Sequence, residues 1–472
     1  MTTIEDTKIE RRIYPLDPRK LTEEQVAVAF AMTSRSPDPF DVIAQRVTEE
    51  KAADFNERWV LNYGHSSVAE HAVLHMAVEN ISRVACDELE DNRLASYTEK
   101  SSRYQVIAPG YYHVPKELDG SPLRETFVAA CDYLFHAYGR AVDGIQDYLP
   151  DEMPRREDES ERAYVMRLRR VATDSARFLL PAATLTNAGV TINARGMEHM
   201  VRKLLSSDLI EEQEIGQELK GRGQEITPTL IKYANYNEYL AVTSKAMRKR
   251  AGGVGKQANP DSDSETESGL QASLVHFDSQ AEQKLVAALL YRYSPDSYTS
   301  IWDRVSKMTA NEREQVIKEA LHRLGSHDIP LREFETVDYT FDLLMDYGAY
   351  REYKRHRMQT YIAQPLTVSN GYVMPPLFER AGLGAMFEEA MQKVETSFNK
   401  LAQEHPRVAG YLVTHAHKRR VLSKMNLREC YHLFKLRTQP TAHFTLREVV
   451  GKAMELARKE HPLLFKYLRL RS

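Results

Sequence analysis

The pattern Asn-x-Arg-x-x-x-His occurs at Asn193, Arg195 and His199 and again at Asn426, Arg428 and His432. Other elements precede each copy in the same order. In the first half Gly64-His65-Ser66-Ser67 leads to Glu70-His71, and Arg93 lies 23 residues beyond Glu70. In the second half Gly325-Ser326-His327 leads to Phe334-Glu335, and Arg357 lies 22 residues beyond Glu335. A conserved order at near-constant spacing requires two copies of one folding unit, and 472 residues exceed the usual size of a single core.

The stretch from Arg248 to Ser268 is rich in Gly, Ser, Asp and Lys and nearly free of apolar residues, so it divides the copies. The expected boundaries are a first repeat over 1–247, a linker or loop over 248–270, and a second repeat over 271–472. Apolar periodicity predicts helices over 21–33, 52–62, 124–148, 161–180, 279–291, 312–324, 387–404 and 427–436. It also predicts one long helix over 70–94 and another over 341–353. Gln105–Ala108 and Tyr112–Val114 are the expected strands. The fold class is α+β, helix-rich, with a small, mainly antiparallel sheet in each copy.

Hydrophobic residues make up 42% of the chain, enough for two cores, and no apolar run approaches the roughly 20 residues that span a bilayer. The first residues, MTTIEDTKIERRIYPLD, lack the pattern of a secretory signal, so a cytoplasmic location with no membrane partner is expected. Cys86, Cys131 and Cys430 are odd in number and widely spaced. This argues against a disulfide framework or a metal cluster and for buried apolar roles. A formal net charge of -3 excludes a globally basic nucleic-acid binder. Binding of RNA through Arg355–Arg357 and His417–Arg420 has no recognition module to support it, so no nucleic-acid partner is expected.

The chemistry-bearing residues form two unequal stretches. The first reads Asp91-Asn92-Arg93-Leu94-Ala95-Ser96-Tyr97-Thr98-Glu99-Lys100-Ser101-Ser102-Arg103-Tyr104, and the second Arg355-His356-Arg357-Met358-Gln359-Thr360. Two permanent charges and an imidazole in three residues form a compact anion-binding cluster. Ser101 and Arg103, two residues apart in an extended segment, point to one side and suit a single phosphate.

Together these stretches resemble the R-H-R-x-x-S-x-N-x-x-S-x-R signature of the flavin-dependent thymidylate synthases. The front is intact in the second copy and the back in the first. Ala176-Arg177-Phe178-Leu179-Leu180-Pro181, the Asn-x-Arg segments and Leu436-Arg437 match further elements of that family. The resemblance implies two tandem ThyX-like domains. It implies FAD as cofactor, bound by Arg355, His356, Arg357, Glu99, Asn426, Arg428, His432, His65, Asn193 and Arg195, with no metal. It assigns substrate binding to Ser101, Arg103, Arg177, Arg437 and Arg420, where Arg419 or Arg420 stands in for Arg177 in the second half. Catalytic roles fall to Arg103, Arg437 and Ser101.

The reaction implied is reductive methylation of deoxyuridine monophosphate, with methylenetetrahydrofolate giving the carbon and NADPH reducing the flavin. The flavin carries the difficult chemistry, and arginines near the uracil stabilise developing negative charge.

The departures are complementary. Asp91 and Asn92 stand where the family has Arg and His, and Leu204 falls where the second copy has Arg437. Ile362, Pro365 and Thr367 replace the phosphate-gripping end of the second copy, and Glu88 and Glu352 stand where the family has glutamine. If the copies pair as two subunits would, one composite site joins Glu99, Ser101 and Arg103 to Arg355, His356, Arg357 and Arg437, and its reciprocal is dead. Two chains then form a homodimer equivalent to a tetramer. The alternative is a divergent, non-catalytic flavin- or nucleotide-binding relative.

Overall fold

A computed structural model describes residues 12–16, 19–34, 36–62, 65–254, 269–325 and 327–470. Gly64, Ser326 and residues 255–268 of the expected linker lie outside the described residues. The chain is helix-rich with two small sheets, as an α+β tandem requires. It divides into two compact units that do not follow the sequence repeats. The first contains Met1–Ile81, Glu88–Lys100 and Thr186–Gln257; the second contains Ser82–Asp87, Ser101–Leu185 and Ala258–Ser472. Eighty-odd residues of the first copy, Ser101–Leu185, therefore belong with the second copy.

In the first unit three strands, β1 (Val73–Ser82), β2 (Ala95–Glu99) and β3 (Leu185–Asn193), stand in the order β1-β3-β2. β2 runs antiparallel to β3, with Ala95 opposite Ile192. In the second unit β4 (Gln271–Phe277), β5 (Asp338–Asp346), β6 (Thr360–Ala363) and β7 (Lys418–Asn426) form an antiparallel sheet in the order β4-β5-β7-β6. Leaving out β4, the two orders are the same, which is the duplication expressed in three dimensions.

Two expected helices begin as strands. Along β1, Leu74 is buried while His75, Ala77 and Glu79 are exposed, and along β5, Tyr339, Phe341 and Leu343 are buried between half-buried Thr340 and Asp342. This period of two is the signature of a sheet with one face on a core. Only the ends are helical, Arg83–Leu89 and Tyr347–Tyr353. The strands expected at 105–108 and 112–114 are loop, apart from one bridge between Tyr112 and Thr184.

Within the second unit, segments of the two copies pair reciprocally. Ala182 N–H donates to Val413 O (2.8 Å) and His415 N–H to Leu180 O (3.0 Å). Ala183 N–H donates to Tyr411 O (2.8 Å) and Ala416 N–H to Phe178 O (3.1 Å). In each reciprocal pair of bonds the two donors, like the two acceptors, are equivalent residues 233 apart, the same offset that relates Asn193 to Asn426. This is the self-complementary geometry of a two-fold dimer. The long helix Leu123–Glu152 packs on Gly384–Ala402, where Arg380 pairs with Glu152 (2.8 Å) and Lys400 donates to Thr126 (3.1 Å). At this offset the counterpart of Arg177 is Gly410, and those of Arg419 and Arg420 are Thr186 and Asn187. The three cysteines are free and buried. No helix among the described residues is long and apolar enough to cross a membrane.

Candidate active site

Ser101 and Arg103 follow β2 in sequence and lie in the second unit. Ser101 Oγ accepts from Arg103 N–H (3.2 Å), which fixes a tight turn. The Arg103 guanidinium donates to both oxygens of Asp174, Nε to Oδ1 at 3.0 Å and Nη2 to Oδ2 at 2.9 Å. Asp174 lies near the end of the helix Glu161–Ala176, three residues before Arg177. Arg177 is buried; its Nε comes within 3.0 Å of Asp174 Oδ1 but off hydrogen-bond geometry, so that contact is electrostatic.

Glu352, on the helix Tyr347–Tyr353, stands among three arginines. Arg103 Nη1 is 3.7 Å and Arg177 Nη2 3.6 Å from Oε1, and Arg437 Nη1 is 3.7 Å from Oε2. Arg437, the last residue of the helix Leu427–Arg437, also donates from Nη2 to Glu352 O (3.2 Å). Three residues assigned to substrate binding by resemblance, two from the first copy and one from the second, thus converge within one unit.

His356 is buried between exposed Arg355 and Arg357. Arg437 Nε–H donates to His356 Nε2 (2.8 Å), and an arginine can only donate. Nε2 is therefore the acceptor, and Nδ1 carries the hydrogen that reaches Glu429 Oε1 at 3.0 Å. Burial first, and then the Arg437 charge, push His356 down to about 3, so the imidazole is neutral near pH 7. Burial raises Glu429 to about 7, opposed by His432. His356 is thus a neutral spacer that aims Arg437.

The pH consequence can be signed. Between about 4.5 and about 7, folded Glu429 keeps a proton that the unfolded chain has released, so its contribution to stability falls as pH rises through that window. Depressed His356 acts oppositely between about 3 and 6.5. Comparing wild type with Glu429→Gln isolates the first effect: the variant should gain stability relative to wild type as pH rises from 4.5 to 7. Glu429→Leu leaves Nδ1–H without its acceptor and should cost about 1–3 kcal/mol. Denaturation midpoints taken across pH 4.5–8 check both expectations.

The equivalent positions of the first copy hold different groups. Asn92 replaces His356, Gly196 replaces Glu429, and fully buried Leu204 replaces Arg437. Glu88, the counterpart of Glu352, pairs with Lys203 (3.0 Å), which also holds Asp91 (3.0 Å).

The remaining residues singled out from sequence take local roles. Asn193 and Asn426 cap their helices, accepting from Gly196 N–H (2.8 Å) and Glu429 N–H (2.9 Å). Arg195 pairs with Glu70, and Arg428 with Glu335 (2.6 Å) and Pro330 O (2.8 Å), the same device in both copies. Glu99 accepts from Thr186 Oγ1 (3.2 Å), and exposed His65 lies beside Trp59, both in the first unit. Exposed His432 meets the His356 ring edge-on at 5.3 Å. Arg420, on β7, is engaged by Asp342 (3.2 Å).

Sequence reasoning missed Asp174, Glu429 and His443. Asp174 precedes Arg177 at helical i,i+3 spacing and was within reach of a pairing argument, whereas Glu429, adjacent to Arg428 on a helix, faces His356 instead. Buried His443, whose Nε2 is 3.9 Å from Asp174 Oδ1 and whose ring stacks at 5.5 Å on Phe178, had no such signal.

The profile of the family described as thymidylate synthase complementing protein matches the chain twice, over residues 19–229 and 273–463. A UPF0159 protein of Chlamydia muridarum is 30% identical over 432 residues, covering 89% of this chain and 81% of the relative. One from Thermoplasma acidophilum is 28% identical over 458 residues, 88% of each. A flavin-dependent thymidylate synthase of Clostridium tetani is 28% identical over 214 residues, 45% of this chain and 82% of its own length. A half-length relative and a doubled match agree with the repeated sheets and the reciprocal pairing. The chain belongs to the thymidylate synthase complementing protein family, of which it carries two copies in tandem.

Proposed function

We propose that this chain is an FAD-dependent thymidylate synthase whose site combines both copies, acting on deoxyuridine monophosphate with methylenetetrahydrofolate and NADPH as co-substrates. The observation that carries the reading is the convergence of Arg103, Arg177 and Arg437 in one cluster. Guanidinium groups bind phosphate by paired, charge-assisted hydrogen bonds. Arg103 and Arg437 hold the nucleotide, His356 keeps Arg437 in position, and the Ser101 turn presents Arg103.

The donor set beside the cluster suits a flavin dinucleotide. Arg355 is exposed and has no hydrogen bond or ion pair with another described residue, and Arg357 is exposed two positions on. These two, with exposed His432, would hold the anionic part of the cofactor. Asn426 and Arg428 fit less well as direct contacts, because capping and Glu335 occupy their polar atoms. When bound, the flavin supplies the hydride for reductive methylation. The protein's residues bind the anions, orient the ring and exclude water.

The reciprocal pairing of 178–183 with 411–416 supports a dimer of chains equivalent to a four-domain assembly. A second reading, a non-catalytic flavin- or nucleotide-binding relative, is favoured by the two carboxylates already engaged with the arginines.

Purified protein should release FAD on denaturation, and Arg355→Ala should weaken flavin binding at least tenfold, about 1.4 kcal/mol. Oxidation of the reduced flavin that depends on deoxyuridine monophosphate and methylenetetrahydrofolate, with formation of thymidylate, separates the two readings. A protein that binds flavin and nucleotide yet forms no thymidylate is the non-catalytic relative.

A further inference from the structure

Glu352 is buried and central, yet none of its three arginine neighbours forms a hydrogen bond with its carboxylate; the gaps are 3.6–3.7 Å. Asp174, by contrast, is gripped by Arg103 in bidentate fashion. Among contacts within 4 Å three positive charges therefore face two resident negative ones, a net of one, and buried Asp346 offsets the Arg177 charge further. His356 contributes none, and Arg355 adds its charge from the exposed side. A phosphate monoester carries about -1.5 to -2 near pH 7. Bringing it to these guanidinium groups sets it beside Glu352 in a desolvated place, where like charges repel strongly. The first copy shows the contrast, since the single Lys203 pairs with both Glu88 and Asp91 there.

We propose that Glu352 is a specificity-determining residue, a resident counter-anion that offsets the cluster's charge and so removes the preference the arginines would otherwise have for a dianionic over a monoanionic phosphate. The inference rests on the nucleotide-binding reading above and names the charge class of its ligand. In direct terms, wild-type protein should discriminate little between deoxyuridine monophosphate and its phosphate monomethyl ester, and removing the Glu352 charge should create a preference for the dianion.

Calorimetric titration at pH 8 tests this with both nucleotides against wild type, Glu352→Gln and Glu352→Asp. Expected are affinities within about threefold of each other for wild type and Glu352→Asp, and a gain of at least tenfold for the dianion alone in Glu352→Gln. The ratio of the two ligands is read within one preparation, so a partly misfolded variant does not imitate the result. A wild-type preference of tenfold or more for the dianion, or an unchanged ratio in Glu352→Gln, overturns the proposal. If no variant binds either nucleotide, the nucleotide reading fails, and titration with inorganic phosphate and dimethyl phosphate decides the charge argument. Phosphate binding gained by Glu352→Gln upholds it, and no gain overturns it.

Discussion

Arg103→Ala is expected to lower affinity for deoxyuridine monophosphate, and turnover with it, by about 100-fold or more. Arg103 is the best-organised arginine of the cluster, with its fork already set by the Ser101 turn and by Asp174. Hydrogen bonds to charged groups are worth about 1.5–3 kcal/mol each, and losing two of them gives the stated factor. The substitution also leaves Asp174 with Arg177 and His443 beside it but without its bidentate partner, so its charge is less well matched and opposes an incoming anion further. Arg93→Ala is the control. Arg93 is exposed at a turn in the first unit, at the position equivalent to Arg357, and its loss should change turnover by no more than about twofold. Nucleotide titration and thymidylate formation measure both, and comparable losses from the two variants would sink the asymmetric site.

Asp87→Ala should cost about 3–5 kcal/mol, the largest effect expected on stability. Asp87 neutralises Lys354, whose side chain is only 2% exposed, through Oδ1 at 3.1 Å and through its own carbonyl at 2.9 Å. It also accepts from Tyr347 Oη (2.9 Å) and lies 3.4 Å from Arg419. Deleting the carboxylate removes the acid that neutralises a buried ammonium, a heavier cost than losing both members of a buried pair. Lys354 immediately precedes Arg355, so the same change should loosen the Arg355–Arg357 turn and lower flavin occupancy. Chemical denaturation measures the first effect and the flavin absorbance the second. A loss below about 1 kcal/mol would mean that water or another acid serves Lys354.

The duplication and the arginines were legible because they rest on residue identity and order. Asn193 with Arg195 and Asn426 with Arg428 marked the copies, and the structure gives each pair the same cap and the same acidic partner. The strands β1 and β5 were hidden because Val73–Ile81 satisfies both periods: Leu74, Met76 and Val78 alternate, while Val73, Ala77 and Ile81 fall at helical spacing. Only the pairing with β3 and β7 decides between them, and that is not local information. Glu429 and His443 share this difficulty, as does the pairing of Asp174 with Arg103. A carboxylate or imidazole acquires its role from the partner that folding brings beside it, and the partners here lie 71 residues apart for Asp174–Arg103 and 73 for Glu429–His356.

The reciprocal hydrogen bonds between 178–183 and 411–416 also carry a historical consequence. In a polypeptide that pairs with its own copy, any substitution enters both partners at once, and Gly196 or Leu204 would disarm every site. Joining the partners in one gene lifts that rule, because a change then strikes one member only. The path back is narrowed: cutting this chain between its copies would yield two unlike polypeptides, neither carrying both halves of the arginine cluster.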